Sequence, residues 1–149
     1  MVTKHPFQHT EWPLVWEHCT ADRVRDDIKE ALSRGKAALR SLEELPEEEA
    51  TFANTFLALE EASRLVADPW SLVDHLDGVR DEPELRKAVR DLLPEISAFF
   101  AAIPLNRAIY KRLRAAAERE RSSLDAEARR YASETLRDFE DAGADKEEA

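Results

Sequence analysis

The sequence predicts an all-α fold, a bundle of about six antiparallel helices joined by short turns. Three observations carry that expectation. Apolar residues recur three and four apart through most of the chain, as one face of a helix requires. No stretch shows the polar–apolar alternation of a half-buried strand. The 149 residues include only three glycines and are 43% hydrophobic, many of them Ala and Leu, which favours helix. A chain of this length buries a real core. We divide it into an irregular lead over residues 1–19, a helical domain over 20–143 and a charged tail over 144–149.

Each element has its own justification. Trp12, Pro13, Leu14, Val15 and Trp16 lack periodicity, so the lead is expected to lie irregularly, or in short helical turns, over the core. Thr20 suits the N-cap of a first helix carrying Val24, Ile28, Leu32, Leu39 and Leu42. Gly35 falls on or near that stripe, where glycine costs about 1 kcal/mol relative to alanine unless close helix–helix contact offsets it. Leu45-Pro46-Glu47-Glu48-Glu49 is an acidic turn, and Thr51 suits the cap of a second helix with Phe52, Phe56, Leu59 and Val66 on one face. Asp68-Pro69 predicts a restart, with a short third helix holding Trp70, Val73 and Leu76 and stopping near Gly78. Asp81-Glu82-Pro83-Glu84 opens a fourth helix toward Ile103, with a kink or division at Pro94. Pro104 is expected to open the fifth helix, with Leu105, Ile109, Leu113 and Ala116. Ser122 and Ser123 reset the chain before a sixth carrying Leu124, Ala128, Tyr131, Thr135 and Phe139. Gly143 sits where a left-handed residue would end it.

Charge and cysteine usage narrow the function classes. The net charge of −10 argues against duplex nucleic acid, whose phosphates require a basic face. Arginines cluster from Arg107 to Arg130, but Glu118, Glu120, Asp125 and Glu127 are interleaved, so the expectation is a solvated face with internal pairing. Cys19 is the single cysteine, which rules out an intrachain disulfide. The first eight residues lack the apolar core of a signal peptide, and no apolar run reaches the roughly 20 residues of a membrane span. The expected setting is cytoplasmic.

Candidate chemistry is sparse. His5 and His9 stand at i, i+4, but Pro6 lies between them and no glutamate adjoins His5, so zinc chemistry of the H-E-x-x-H kind is not expected there. His18 adjoins Cys19, yet neighbours in sequence do not face each other on a helix. His75 stands among Leu72, Leu76 and Val79 and reads as a packing or interhelical hydrogen-bonding residue. Glu47 to Glu49 and the pair Asp26 and Asp27 lie in stretches that look solvated, where nothing would shift a pKa toward acid–base work. Trp12, Trp16, Trp70, Phe52, Phe56, Phe99 and Phe100 suggest a peptide-stacking groove, but their helical spacing fits ordinary core better. We assign no catalytic, cofactor-binding or metal residue, and no substrate-binding residue can be named.

Several phrases carry a resemblance. They are Thr51-Phe52-Ala53-Asn54-Thr55 running to Leu59-Glu60-Glu61, Leu76-Asp77-Gly78-Val79 followed by Glu84-Leu85-Arg86-Lys87-Ala88, and Leu92-Leu93-Pro94-Glu95-Ile96-Ser97. Asn106-Arg107-Ala108-Ile109-Tyr110, Leu124-Asp125-Ala126-Glu127-Ala128-Arg129-Arg130 and Leu136-Arg137-Asp138-Phe139 to Gly143-Ala144 complete the set. In order and spacing, from Trp16 to Asp145, they resemble the N-terminal helical region of the thimet oligopeptidase/oligopeptidase A family of zinc peptidases. The start departs, with Ala21-Asp22-Arg23-Val24 where the family commonly has Pro-Glu-His-Val. The resemblance implies a helical wall of a deep channel, with zinc held on H-E-x-x-H by a later catalytic domain. None of those zinc positions exists in this sequence, so no cofactor is expected in this chain.

Two functions follow as expectations. One is a non-catalytic module for partner docking or peptide binding. The other is part of a zinc-dependent metallo-oligopeptidase, active only with its catalytic domain. The expected partners are that catalytic domain, short peptides or a second copy of the chain, with no nucleic acid and no membrane. The apolar pairs Trp12 with Trp16, Phe52 with Phe56, Leu92 with Leu93 and Phe99 with Phe100 exceed what one stripe per helix buries, which predicts an exposed apolar patch or a homodimer covering it.

Overall fold

The computed structural model describes residues 5–8 and 16–146. Two short 3-10 turns, Pro6–Gln8 and Trp16–His18, precede α1 (Ala21–Glu44). A 3-10 turn at Glu47–Glu49 and a π-helical turn at Ala53–Leu57 lead into α2 (Ala58–Val79). Then come α3 (Pro83–Ala102), α4 (Arg107–Arg119) and α5 (Ala126–Ala142). No strand occurs among the described residues, and the fold is all-α.

The helix ends follow from local chemistry. Thr51 and Asn54 close a reciprocal cap: the Thr51 hydroxyl accepts from the Asn54 N–H at 3.2 Å, and the Asn54 carboxamide accepts from the Thr51 N–H at 2.7 Å. Asp125 caps α5 by accepting from the Ala128 N–H at 2.8 Å. At the other end Gly143 takes φ 95°, its N–H donates to Glu140, and the Ala144 N–H reaches back to Phe139. That is the glycine-ended Schellman pattern expected there.

Two expected boundaries move. The restart at Asp68–Pro69 does not occur, and Pro69 lies inside a continuous α2. Val66, Pro69, Val73 and Leu76 are all buried, so one apolar stripe runs through the proline, and its burial holds the helix together despite the lost hydrogen bond. The five α-helices among the described residues agree with the expectation of about six, the expected second and third being one continuous helix. Pro104 does not open α4; Asn106 caps it by accepting from the Ile109 N–H at 3.1 Å, and Leu105 stays exposed. Pro94 lies within a single α3 on its exposed side, where water can satisfy the carbonyl that proline leaves unpaired.

The chain forms two compact units, one comprising residues up to Lys36 with Ser63–Phe99, the other Ala37–Ala62 with Phe100 onward. In the first, Phe7, Val24, Ile28, Val66, Val73 and Leu85 are fully buried. Gly35 is buried there too, and a Cβ on it would stand 2.6 Å from Val66 Cγ2, so the close approach inferred from its stripe position is real. In the second, Phe56, Ile109, Leu113 and Ala116 are fully buried. Around this core α4 holds down the turn that follows α1. Arg112 Nε donates to the Leu45 carbonyl at 2.8 Å, Arg119 donates to the carbonyls of Glu47 and Ala50, and the Glu120 carboxylate accepts from the Phe52 N–H. The Glu47 carbonyl also accepts from the Ala50 N–H inside the turn, so Arg119 adds a second bond there.

Candidate functional site

The feature that gathers functional side chains lies in the second unit, on one face of the helical hairpin of α4 and α5. It is a groove of about 680 Å³. From α4 it takes Tyr110, Arg114, Ala117 and Glu118, positions that recur every third or fourth residue and so share a helix face. From α5 it takes Arg129, Ser133 and Arg137 at i, i+4 and i+8, with Ala132, Leu136 and Glu140 beside them. Arg121 and Leu124, from the turn between the helices, complete the lining.

Four arginines face two glutamates here, and both glutamates are engaged. Glu118 pairs with Arg114 at 2.9 Å, and its hydrogen bond and charge hold that guanidinium still more firmly in the charged form. Glu140 accepts from the Tyr110 hydroxyl at 2.9 Å. Burial, then the bond and charge of Glu140, push the Tyr110 phenol above its ordinary range, so it stays a neutral donor. The guanidinium groups of Arg121, Arg129 and Arg137 have no hydrogen-bonding or ionic partner among the described residues. The result is a locally cationic groove in a chain of net charge −10.

Sequence reasoning missed this groove because Glu118, Glu120, Asp125 and Glu127 look as though they neutralise the arginines. The structure sorts them differently. Only Glu118 lines the groove, while Glu120 accepts from Phe52 and Asp125 caps α5. The 129–133–137 spacing on one helix was the available signal. Leu136 is half-buried and lines the groove.

The residues considered from sequence are scattered. His9 and Trp12 lie outside the described residues. His5 Nδ1 stands 2.9 Å from Asp27 Oδ1, and the Phe7 N–H donates to Asp27 Oδ2 at 2.8 Å. Asp27 is therefore fully buried, which corrects the solvated reading; Asp26 is exposed as expected. A carboxylate accepting these bonds can be held inside, and it fastens the Pro6–Gln8 turn to α1. His18 is half-buried, and its Nδ1 has no hydrogen-bond partner among the described residues. Burial pushes the Cys19 thiol up against the pull of Arg80, the reverse of an activated nucleophile. His75 is exposed, not packed, with its ring centroid 6.2 Å from that of Trp16.

Glu47 to Glu49 are exposed. Among the described residues no group of three or more His, Cys, Asp or Glu is placed to hold a metal ion. Of the aromatics, Trp16, Trp70 and Phe99 belong to the first unit, and Phe52, Phe56 and Phe100 to the second. Phe52 stacks on Phe56 with centroids 5.1 Å apart, and Tyr131 meets Phe56 edge-on at 6.3 Å. The described apolar pairs each split, with Phe56, Leu92 and Phe99 buried and Phe52, Leu93 and Phe100 more open.

Comparisons with known proteins place this hairpin in context. Residues 28–149 match the family described as Neurolysin/Thimet oligopeptidase, N-terminal domain. The chain is similar to Organellar oligopeptidase A, chloroplastic/mitochondrial, of Arabidopsis thaliana, at 32% identity over 109 residues, covering 73% of this chain and 14% of that protein. It is also similar to Probable cytosolic oligopeptidase A of Arabidopsis thaliana, at 30% identity over 98 residues, covering 66% of this chain and 14% of the relative. The chain thus spans a small part of the length of the relatives it matches. No solved structure matches significantly.

Proposed function

The chain belongs to the neurolysin/thimet oligopeptidase N-terminal domain family, and from that premise we propose that it is a non-catalytic helical module that binds short peptides or docks on a partner polypeptide. The observation that carries this reading is the pairing of that membership with the groove on α4 and α5, where the guanidinium groups of Arg121, Arg129 and Arg137 have no ionic partner among the described residues. Hydrolysis by a zinc peptidase needs two histidines one helical turn apart, a glutamate base and a third ligand. The H-E-x-x-H pattern is absent from this sequence. Zinc hydrolysis of that kind near this module would therefore draw its ligands from another polypeptide or another segment.

A second reading is favoured by the relatives, both named as oligopeptidases: the module is one part of a zinc-dependent metallo-oligopeptidase and contributes to hydrolysis once joined to the catalytic domain. We place its work in the cytoplasm, as the name of one relative suggests for that protein. Among the described residues no single helix is long and apolar enough to cross a membrane.

The test mixes the purified chain with a separately produced H-E-x-x-H polypeptide of oligopeptidase A type that lacks its own helical region. Turnover of a quenched fluorescent peptide is followed. The chain alone is expected to be inert, and the mixture to gain turnover saturably if the second reading holds. Chelator-sensitive cleavage by the chain alone would overturn both readings.

A further inference from the structure

We propose that the groove between α4 and α5 takes an extended, carboxylate-rich segment of a partner polypeptide, gripped by Arg129 and Arg137 with Arg121 at the turn end. This rests on the reading of the chain as a binding module and names the chemistry of what it binds. The first argument is charge. Glu118 and Glu140 are committed to Arg114 and Tyr110, which leaves three guanidinium groups facing a shared concavity without a counter-ion among the described residues. Guanidinium forks match carboxylates in bidentate geometry, so an acidic side chain is the complementary group.

The second argument is spacing. Arg129 and Arg137 are eight residues apart on one helix, a rise of about 12 Å. In an extended segment, side chains four residues apart lie on the same side and about 13 Å from each other. A Glu-x-x-x-Glu segment lying along α5 therefore presents one carboxylate to each arginine, and its central residue meets Ser133. That central residue shares the side of the two carboxylates, and the half-buried Leu136 beside Ser133 gives it an apolar surface to lie on.

The remainder of the molecule strengthens the selectivity. With a net charge of −10, the chain repels long polyanions from a distance. A short segment carrying two or three carboxylates gains from the local arginines and loses little to that field, which salt screens within about 10 Å.

The experiment measures fluorescence anisotropy of a labelled peptide with glutamates four residues apart and alanine and leucine between them, against its glutamine counterpart. The glutamate peptide is expected to bind about tenfold more tightly, and the advantage to shrink as salt rises. The double variant Arg129→Gln/Arg137→Gln removes that advantage. Arg130→Gln, whose side chain pairs with Glu134 and does not line the groove, leaves it intact. Circular dichroism shows that each variant retains its helices. Equal binding of both peptides, insensitive to the two arginines, overturns the acidic-segment proposal while leaving peptide binding itself standing. Binding of neither peptide overturns the proposal and counts against the peptide-binding reading as well. Equal loss in Arg130→Gln, or displacement of the peptide by inorganic phosphate at equal concentration, reduces the site to a general anion attraction and also overturns it.

Discussion

Replacing Gly35 with alanine sets two effects of opposite sign against each other. In the interior of α1 the substitution gains about 1 kcal/mol of helix propensity. The added methyl, however, would stand 2.6 Å from Val66 Cγ2 and 3.0 and 3.2 Å from the Phe99 ring. Distances under 3 Å do not persist, and Val66 is β-branched with few rotamers to escape into. Phe99 is itself buried, so the ring cannot swing into solvent. Overpacking of this kind costs about 2–3 kcal/mol. Packing wins, and Gly35→Ala is expected to destabilise by about 1–2 kcal/mol, which lowers the melting temperature by about 3–6 °C for a chain of this size. Urea and thermal denaturation followed by circular dichroism read this directly. The double variant Gly35→Ala/Val66→Ala should lose less than the two single losses added together, because the new methyl occupies the space the valine vacates. A Gly35→Ala protein more stable than the parent would refute the close approach of α1 to Val66 and Phe99.

Asp27→Ala removes the acceptor of both His5 and the Phe7 N–H, and is expected to cost about 3 kcal/mol, with faster proteolysis near residues 5–8 as the local readout; a loss below about 0.5 kcal/mol would contradict the buried anchoring role. Tyr110→Phe deletes the bond to Glu140 and should cost about 1–2 kcal/mol at neutral pH in the same denaturation assay. The Tyr110 and Tyr131 phenols are both raised above 10.0, chiefly by burial, so their contribution is whole below pH 10 and is lost as pH rises through their folded values. Stability should therefore fall above pH 10, and fall less steeply in Tyr110→Phe; an identical slope in the two proteins would show that Tyr110 is not held neutral by the fold.

Much of the fold was legible because burial follows helical periodicity. Val24 and Ile28 on α1, Phe56 and Leu59 before and within α2, Leu85 on α3, and Ile109 and Leu113 on α4 lie inside as their spacing required. Gly143 ends α5 because only glycine readily adopts its left-handed conformation. What misled was local chemistry overruled by distant packing. Asp68-Pro69 has every mark of a helix start, yet the buried stripe through Pro69 carries α2 past it. Asp27 sits in a charged run, and nothing local shows that the lead folds back to bond it. The groove was hidden for a related reason. A linear charge pattern does not reveal that Glu120 turns toward Phe52 and Asp125 toward its own helix, leaving Arg129 and Arg137 uncompensated.

A single titration addresses the claim that this chain binds without cleaving. A quenched fluorescent peptide bearing glutamates four residues apart is mixed with increasing amounts of the purified chain in the presence of zinc. Anisotropy reports binding, and loss of quenching reports cleavage in the same sample. The expected result is saturable, salt-sensitive anisotropy with the peptide left intact. Turnover that a chelator abolishes and that survives repeated purification, or an anisotropy that never rises, would contradict it.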